Sequence, residues 1–283
     1  MVDQLKLLYL PEDDINIEMN ILDKIIEHKK VEVAQRKLAI PAGDLQKSKF
    51  FSRDIISLKD FLLDDSRTGI IAEFKRRSPS KGVINADADV IAVTTAYTEN
   101  GASCLSVLTD ENFFGGSTED LLKARVNEIP ILRKDFMIDE YQVMEAKAMG
   151  ADVILLIAAS LSVQQVKQLA VFAKSLGLDV LLELHAEEEL EHICDETDLV
   201  GINNRNLKTF EVDINRSLKM AQKIPAGKIK IAESGIGSVS TISLFKENGF
   251  RGFLMGENFM KEADPGKAFA KFAEELKTPF RPA

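Results

Sequence analysis

Charged side chains crowd the end of one apolar run in the first third of the chain. The stretch GIIAEFKRRSPSKG places Glu73 and Lys75 at the end of the run, and Arg76, Arg77 and Lys81 follow closely. A strand needs no such charges, whereas carboxylates and ammonium groups can move protons or bind an anionic substrate. Because the chain has a formal net charge of -9, local cations would have to attract such an anion.

The composition excludes several classes of function. With 45% hydrophobic and 29% charged residues, the chain is typical of a globular protein, and it has no apolar run near the ~20 residues that span a bilayer. The negative charge argues against a nucleic-acid partner, since phosphate backbones require a basic face. The first residues, MVDQLKLLYLPEDD, have the wrong charge order for a targeting signal. We therefore expect a cytoplasmic protein with neither a membrane nor a nucleic-acid partner.

Neither the cysteines nor the histidines indicate a metal or redox site. Cys104 and Cys194 lie far apart and form no C-x-x-C motif. His28, His185 and His192 show no metal-ligand spacing. We expect no metal and no cofactor, and we expect all three histidines to be solvated or hydrogen-bonded.

Short apolar runs recur along the chain and are separated by segments with helical spacing, such as residues 138–146 and 163–170. This alternation predicts parallel strands. Eight such units in 283 residues predict an α/β fold, a (β/α)8 TIM barrel, and a doubly wound open sheet is the less economical alternative. The eight runs are GIIAEFK, SCLSVLT, PILRKD, DVILLIA, LDVLLEL, DLVGIN, KIKIAES and RGFLMG.

The pattern predicts a single domain over residues 1–283. Residues 67–283 would form the barrel, residues 20–66 an extra N-terminal helical segment, and residues 1–19 an extension without assigned function. Between residues 20 and 38, apolar side chains alternate with Lys and Glu as in an amphipathic helix. We hypothesise that this helix covers the barrel mouth.

Polar side chains share a strand face with apolar ones at the carboxyl ends of five runs. Residues i and i+2 point to the same face, and active sites of barrels lie where these ends converge. For any one charge, simple exposure to solvent is the alternative, but five together favour a site. The sets are Ile71, Glu73 and Lys75; Leu132 and Lys134; Leu181 and Glu183; Asn203 and Arg205; and Ile229, Ile231 and Glu233.

Glycine turns follow the last two runs, as ESGIG (233–237) and GEN (256–258). Barrels commonly bind phosphate between these two loops, where backbone N–H groups close on an anion. A dinucleotide fingerprint does not fit, because the third glycine is missing and no acidic residue follows about 20 positions later. An ordinary turn is the remaining alternative.

Four segments together resemble the signatures of the indole-3-glycerol phosphate synthase family. They are AEFKRRSPSKG (72–82), LRKDF (132–136), GINNRNL (201–207) and AESGI (232–236), and the match runs from about Ile21 to the C-terminus. The resemblance implies that 1-(2-carboxyphenylamino)-1-deoxyribulose 5-phosphate is converted to indole-3-glycerol phosphate, with loss of CO2 and water, in tryptophan biosynthesis. The phosphate and the carboxylate of this substrate would explain why lysines converge in an acidic protein.

The resemblance also implies roles for the strand-end residues. Lys134 would be the general acid that protonates the ribulose carbonyl oxygen, and Glu183 the general base of the later dehydration. Lys75 would pair with the anionic groups and serve as a second proton donor, with Glu73 holding it. We expect neighbouring cations and desolvation to lower the pKa of Lys134 toward the working range.

The remaining positions would bind this small phosphorylated substrate, and contacts with other tryptophan-pathway enzymes are left open. A carboxylate is unexpected beside a phosphate, so Glu257 would contribute its backbone N–H with the side chain turned outward. By resemblance, the orienting residues are Asn203, Arg205 and Glu233, the walls are Ser78, Phe114, Phe136 and Leu207, and the phosphate cradle is Ser234, Gly235, Gly256 and Glu257.

Two alternatives remain for the function. Phosphoribosylanthranilate isomerase would share the barrel and the cradle, but it would not need two strand-end lysines together with Glu183. A non-catalytic binding subunit would keep the cradle and lose the acid and the base, whereas this sequence retains both.

Overall fold

A computed structural model describes residues 20–206 and 211–277. Within these ranges, eight parallel strands close into a barrel, and two short strands form a separate antiparallel hairpin. Because β1 pairs with both β4 and β10, the predicted (β/α)8 barrel is confirmed and the open-sheet alternative is wrong. The barrel strands are β1 (Ile70–Phe74), β4 (Cys104–Leu108), β5 (Ile131–Lys134), β6 (Val153–Ile157), β7 (Asp179–Leu184), β8 (Leu199–Asn203), β9 (Ile229–Glu233) and β10 (Phe250–Met255), and the hairpin strands are β2 (Arg77–Ser78) and β3 (Gly82–Val83).

Helices precede the barrel and connect its strands. Many begin at an Asn, Ser or Asp side chain that accepts a backbone N–H of the first turn, which stabilises the helix start. No described helix is both long and apolar enough to cross a membrane. The helices are α1 (Ile21–Ala39), α2 (Ala42–Leu45), α3 (Leu58–Leu63), α4 (Val90–Glu99), α5 (Thr118–Ala124), α6 (Glu140–Ala148), α7 (Val163–Ser175), α8 (Ile214–Ala221), α9 (Val239–Glu247), α10 (Glu257–Met260) and α11 (Pro265–Lys277), with 3-10 turns at Ala158–Ser160 and Glu187–His192.

The apolar side chains form two buried layers. One layer fills the barrel, and it contains Ile71, Leu132, Leu181 and Ile231. The other layer packs the outer face of the strands against the helices. The predicted strand parity is therefore confirmed, since the apolar members of these sets point into the barrel below the polar strand ends.

The N-terminal segment closes the end of the barrel opposite its mouth. Leu58 and Leu62 of α3 belong to the apolar layer inside the barrel. Backbone N–H groups of Ile56 and Leu58 donate to Asp152 and Asp179, at 2.9 and 3.1 Å. These acids lie at the amino ends of β6 and β7, so residues 56–62 form a plug that the sequence pattern did not predict.

A buried ion cluster holds α1 against the carboxyl ends of β4 and β5. The fully buried Lys29 Nζ lies 3.0 Å from both Asp110 Oδ2 and Asp135 Oδ1, and 2.9 Å from Glu32 Oε2. Burial raises the pKa of Asp135, but Arg133 and then Lys29 outweigh burial and lower this pKa to about 2. The cluster therefore holds α1 over the mouth, whereas the division of residues 1–283 as one domain stays a prediction.

Replacing Lys29 by Met leaves buried carboxylates without their cation, so Lys29→Met is expected to lower the free energy of unfolding by about 3–5 kcal/mol at neutral pH. Because the folded pKa of Asp135 lies below its unfolded value of about 3.9, this stability is present above pH ~4 and is lost as the pH falls toward 2. Chemical denaturation at several pH values should show the difference between variant and wild type shrinking in that window.

Lys30→Met is the matched control, because the Lys30 side chain is 59% exposed and pairs with the equally exposed Glu27. Equal stability losses for Lys29→Met and Lys30→Met would contradict the cluster's role.

Candidate active site

A cavity of about 430 Å³ lies where the carboxyl ends of the barrel strands meet. It is lined by every predicted site residue that the structure describes, whereas Leu207 lies outside the described residues. Ile21, Leu22 and Ile25 of α1 also line it, which is the placement expected of a helix over the mouth. The predicted residues in the lining are Glu73, Lys75, Ser78, Phe114, Lys134, Phe136, Glu183, Asn203, Arg205, Glu233, Ser234, Gly235, Gly256 and Glu257.

Lys134 reaches two carboxylates from other strands. Its Nζ donates to Glu183 Oε2 at 3.0 Å and lies 3.9 Å from Glu233 Oε2. The second oxygen of Glu183 accepts from Asn203 Nδ2 at 2.9 Å. Each group comes from a different strand, so barrel closure brings together side chains that are far apart in sequence.

The charges around Lys134 overturn one expectation. Burial lowers the pKa of Lys134, but the carboxylates of Glu183, Glu233 and Glu73 outweigh burial and raise this pKa above its ordinary value. The expected lowering was wrong, because the nearest charges are carboxylates of other strands, not the cations adjacent in sequence. Lys134 is therefore an ammonium ion at neutral pH.

The pKa values of the two acids near Lys134 are shifted in opposite directions. Burial raises the pKa of Glu183, but Lys134, then His185 and Asn203, hold it well below its usual range. For Glu233, burial and then the Glu183 charge raise the pKa well above the usual range, and Lys134 offsets only part of this. Two close carboxyls whose pKa values are shifted in opposite directions are suited to different roles in acid-base chemistry.

Two glycines make room for the carboxyl groups. A Cβ at position 201 would collide with Glu233 Oε1, and one at position 256 would lie 2.8 Å from Glu73 Oε1. Lys75 donates to the same Glu73 oxygen, so Glu73 holds the second lysine at the mouth.

The cations that follow Lys75 in sequence bind away from the cavity centre. Arg76 pairs with Asp120 at 2.6 Å, and Arg77 Nη2 donates to the Glu111 carbonyl at 2.6 Å. These two arginines therefore fasten the loop after β1 to the segment that follows β4.

The loop after β9 has an unusual backbone. Ser234 and Gly235 have φ angles of 64° and 69°, in the left-handed region that non-glycine residues rarely occupy. A Cβ at position 235 would collide with Val212 Cγ1, so glycine is required there on two counts. Such backbone strain is concentrated at functional sites.

The side wall and the opposite rim complete the cavity. The rings of Phe114 and Phe136 lie 5.9 Å apart, and Asp110 accepts the backbone N–H of Phe114 at 3.0 Å. At the rim, the Glu257 carboxylate lies 3.6 Å from Lys81 Nζ and 4.0 Å from Arg205 Nη2. No three His, Cys, Asp or Glu side chains in the described part of the chain group as a metal site would require.

His185 is a cavity residue that the sequence reasoning missed. Its side chain is buried rather than solvated, and its Nε2 lies 3.0 Å from Glu183 Oε1. By contrast, both ring nitrogens of His192 approach backbone carbonyls, at 3.1 and 3.0 Å. The parity rule would have found His185, because it lies two residues after Glu183 on the same strand face.

Known proteins match this chain over most of its length. A family model described as indole-3-glycerol phosphate synthase matches residues 22–272. The indole-3-glycerol phosphate synthase of Bacteroides thetaiotaomicron is 46% identical over 258 residues, which cover 91% of this chain and 99% of that relative. The chain belongs to the indole-3-glycerol phosphate synthase family. The synthase of Polaromonas sp. is also 46% identical over 258 residues, covering 89% of this chain and 97% of its own.

Solved structures show the same barrel at lower identity. A structure of KGPDC from Streptococcus mutans has a TM-score of 0.59 and 15% identity, covering 74% of this chain and 96% of its own. At that identity the likeness shows the fold alone. The four segments that resemble synthase signatures all contribute residues to the cavity of this family member.

Proposed function

We propose that this chain is an indole-3-glycerol phosphate synthase, which converts 1-(2-carboxyphenylamino)-1-deoxyribulose 5-phosphate to indole-3-glycerol phosphate, CO2 and water. The observation that carries the proposal is that Lys134 lies beside Glu183 and Glu233 in one cavity of a family member, with the pKa of Glu183 lowered and that of Glu233 raised. An ammonium donor and a carboxylate base are the groups that ring closure followed by dehydration requires.

Lys134 acts as the general acid of ring closure. As the aromatic carbon attacks the ribulose carbonyl, negative charge develops on the carbonyl oxygen, and an alkoxide is more basic than an amine. The Lys134 ammonium can therefore give up its proton to this oxygen despite its raised pKa. Its short contact with Glu183 also holds the ammonium group in place before substrate binds.

Glu183 acts as the general base of dehydration. It is ionised, and Lys134 and Asn203 hold its two oxygens in a defined orientation. Glu233 lies buried beside it and orients the substrate, and burial and the Glu183 charge raise its pKa. Lys75, held by Glu73, pairs with the anionic groups of the substrate and serves as the second proton donor.

The rest of the cavity binds the substrate. The phosphate lies against the loops that carry Ser234, Gly235, Gly256 and Glu257, where glycine and a left-handed backbone expose N–H groups to an anion. The Glu257 carboxylate faces Lys81 and Arg205, which leaves its backbone N–H for the phosphate. Arg205 and Asn203 orient the sugar chain, and the walls consist of Ser78, Phe114 and Phe136.

The two rival functions are less consistent with this site. An isomerase acting on a related phosphoribosyl compound has no need for both Lys75 and Lys134 beside Glu183, and a non-catalytic barrel has no need for the acid or the base. A cytoplasmic location and contacts with other tryptophan-pathway enzymes stay predictions.

The direct test is to incubate the purified protein with 1-(2-carboxyphenylamino)-1-deoxyribulose 5-phosphate and to follow the fluorescence of the indole product. We expect turnover without added metal or cofactor. Isomerisation of phosphoribosylanthranilate in place of indole formation would support the rival enzyme, and tight substrate binding without turnover would support the binding subunit.

Exchanging Lys134 for arginine separates acidity from charge. Arginine keeps the positive charge, but its pKa of about 12 or higher and its bulkier planar group prevent proton delivery to one oxygen. Lys134→Arg is expected to lower kcat by at least about 10²-fold, with KM changed only a few-fold. Single-turnover fluorescence avoids masking by slow product release, and Lys75→Arg should lose less. A wild-type single-turnover rate in Lys134→Arg would refute the acid role.

Glutamine substitutions separate the two acids. Glu183→Gln keeps the shape of the side chain but cannot accept a proton, so kcat is expected to fall by roughly 10² or more with KM little altered. Glu233→Gln replaces a carboxyl of raised pKa, which orients the substrate, by an amide of similar shape, so its loss should be smaller, within about 10-fold. Normal turnover by Glu183→Gln would transfer the base role to another carboxylate, with Glu73 the next candidate.

A further inference from the structure

His185 lies against the candidate base from the side opposite Lys134. Its side chain is buried, with an exposed fraction of 8%, and its Nε2 lies 3.0 Å from Glu183 Oε1. Asn203 Nδ2 approaches the same oxygen, whereas Lys134 holds Oε2. Apart from this approach to Glu183, neither ring nitrogen of His185 has a hydrogen-bond partner among the described residues.

The backbone fixes where the imidazole can lie. The Glu189 carboxylate accepts the N–H groups of His185 and Ala186, at 2.6 and 3.2 Å, and so holds the chain immediately after β7. From this anchored position the ring lines the cavity. Burying a polar ring that has no partner besides Glu183 costs free energy, so the position of the His185 ring beside Glu183 requires an explanation.

The charges of the site indicate a role for the His185 imidazole in proton transfer. Lys134 holds Glu183 strongly ionised, and a carboxylate with a lowered pKa is a weak base. The charged groups at the neighbouring strand ends are Lys134 on β5, Glu183 on β7 and Glu233 on β9, and Glu189 lies beyond the ring on its own loop. A neutral imidazole next to Glu183 is a better proton acceptor than Glu183 itself, so it can draw the proton onward.

We propose that His185 is the proton-transfer partner of Glu183, receiving on Nε2 the proton that Glu183 removes from the substrate. This inference rests on the proposed function and deepens it. His185 acts through Glu183 and is not assigned a contact with the reacting atoms.

The proton balance of the step is closed. The substrate C–H bond breaks, its electron pair forms the C=C bond, and the hydroxyl group leaves as water with a proton from the Lys75 ammonium. The abstracted proton passes from Glu183 to His185, giving an imidazolium beside the restored carboxylate. That proton returns through solvent to the Lys75 amine, so the dehydration step neither gains nor loses a proton.

Glutamine at position 185 distinguishes proton transfer from simple orientation. Its amide N–H can still hold Glu183, but it cannot take up a proton. His185→Gln is expected to lower the single-turnover rate by about 10-fold or more. It should also change the pH dependence of the single-turnover rate, because the glutamine side chain does not titrate. A wild-type rate with an unchanged pH profile would overturn the inference, because orientation alone would then suffice.

His28→Gln is the matched control, since the His28 side chain is 40% exposed on α1 and does not line the cavity. Its pH profile should equal that of the wild type. Thermal unfolding of His185→Gln checks that a loss of rate does not arise from unfolding.

A second measurement needs no substrate. Carboxyl ¹³C NMR titration of the ligand-free protein should show the pKa of Glu183 rising in His185→Gln, because the variant lacks the His185 ring whose contact helps to hold that pKa down. An unchanged pKa of Glu183 would overturn the pairing whatever the reaction is. A wild-type protein that forms no indole product would instead refute the proposed function and leave this titration to decide the pairing.

Discussion

The neutralisation of one partly buried ammonium group organises the centre of this molecule. Lys134 lies above the apolar layer that fills the barrel, and an unpaired charge in that position would be costly. Carboxylates from β1, β7 and β9 surround it, so its charge is shared among strands that meet only because the sheet closes. The same arrangement lowers the pKa of Glu183 and raises that of Glu233, which is the asymmetry that acid-base chemistry needs.

Strand β5 connects this site to the N-terminal helix. Its last residues continue as three consecutive charges, and the alternation of a strand sends them to different places. Lys134 points into the barrel, whereas Arg133 and Asp135 point outward and lie 3.1 Å apart. Asp135 binds Lys29 of α1, so the residue that holds the helix over the mouth directly follows the candidate acid in the chain.

The barrel and most of its mouth could be predicted because both follow from local periodicity. Alternation along each strand was sufficient to place Glu73, Lys134, Glu183 and Glu233 on the inner face without knowledge of their neighbours. The pKa of Lys134 could not be predicted in this way. The sequence shows its neighbours along the chain, which include a cation, whereas its charge environment is set by strands remote in sequence.

Two structural features that the sequence analysis did not predict have the same physical origin. Lys29 resembles any lysine on the polar face of an amphipathic helix, yet it is fully buried, because Asp110 and Asp135 arrive from two barrel strands to neutralise it. Helix α3 has six residues, too few for a clear apolar period. Its position at the floor of the barrel depends on Asp152 and Asp179, which accept backbone N–H groups at and just before its start.

His185 shows how far the parity argument extends. In three other strands, the residue two positions after the polar strand end also lines the cavity. The pairs are Glu73 with Lys75, Lys134 with Phe136 and Asn203 with Arg205. Glu183 with His185 obeys the same rule. Histidine side chains usually form hydrogen bonds outside an active site, so the residue type alone gives no reason to expect a buried ring at this position. What distinguishes it is the anchoring of its backbone by Glu189, which removes the freedom to turn toward solvent. A strand-end residue therefore joins the site through two conditions, the parity of its strand and a loop that holds the chain in strand direction for two more residues.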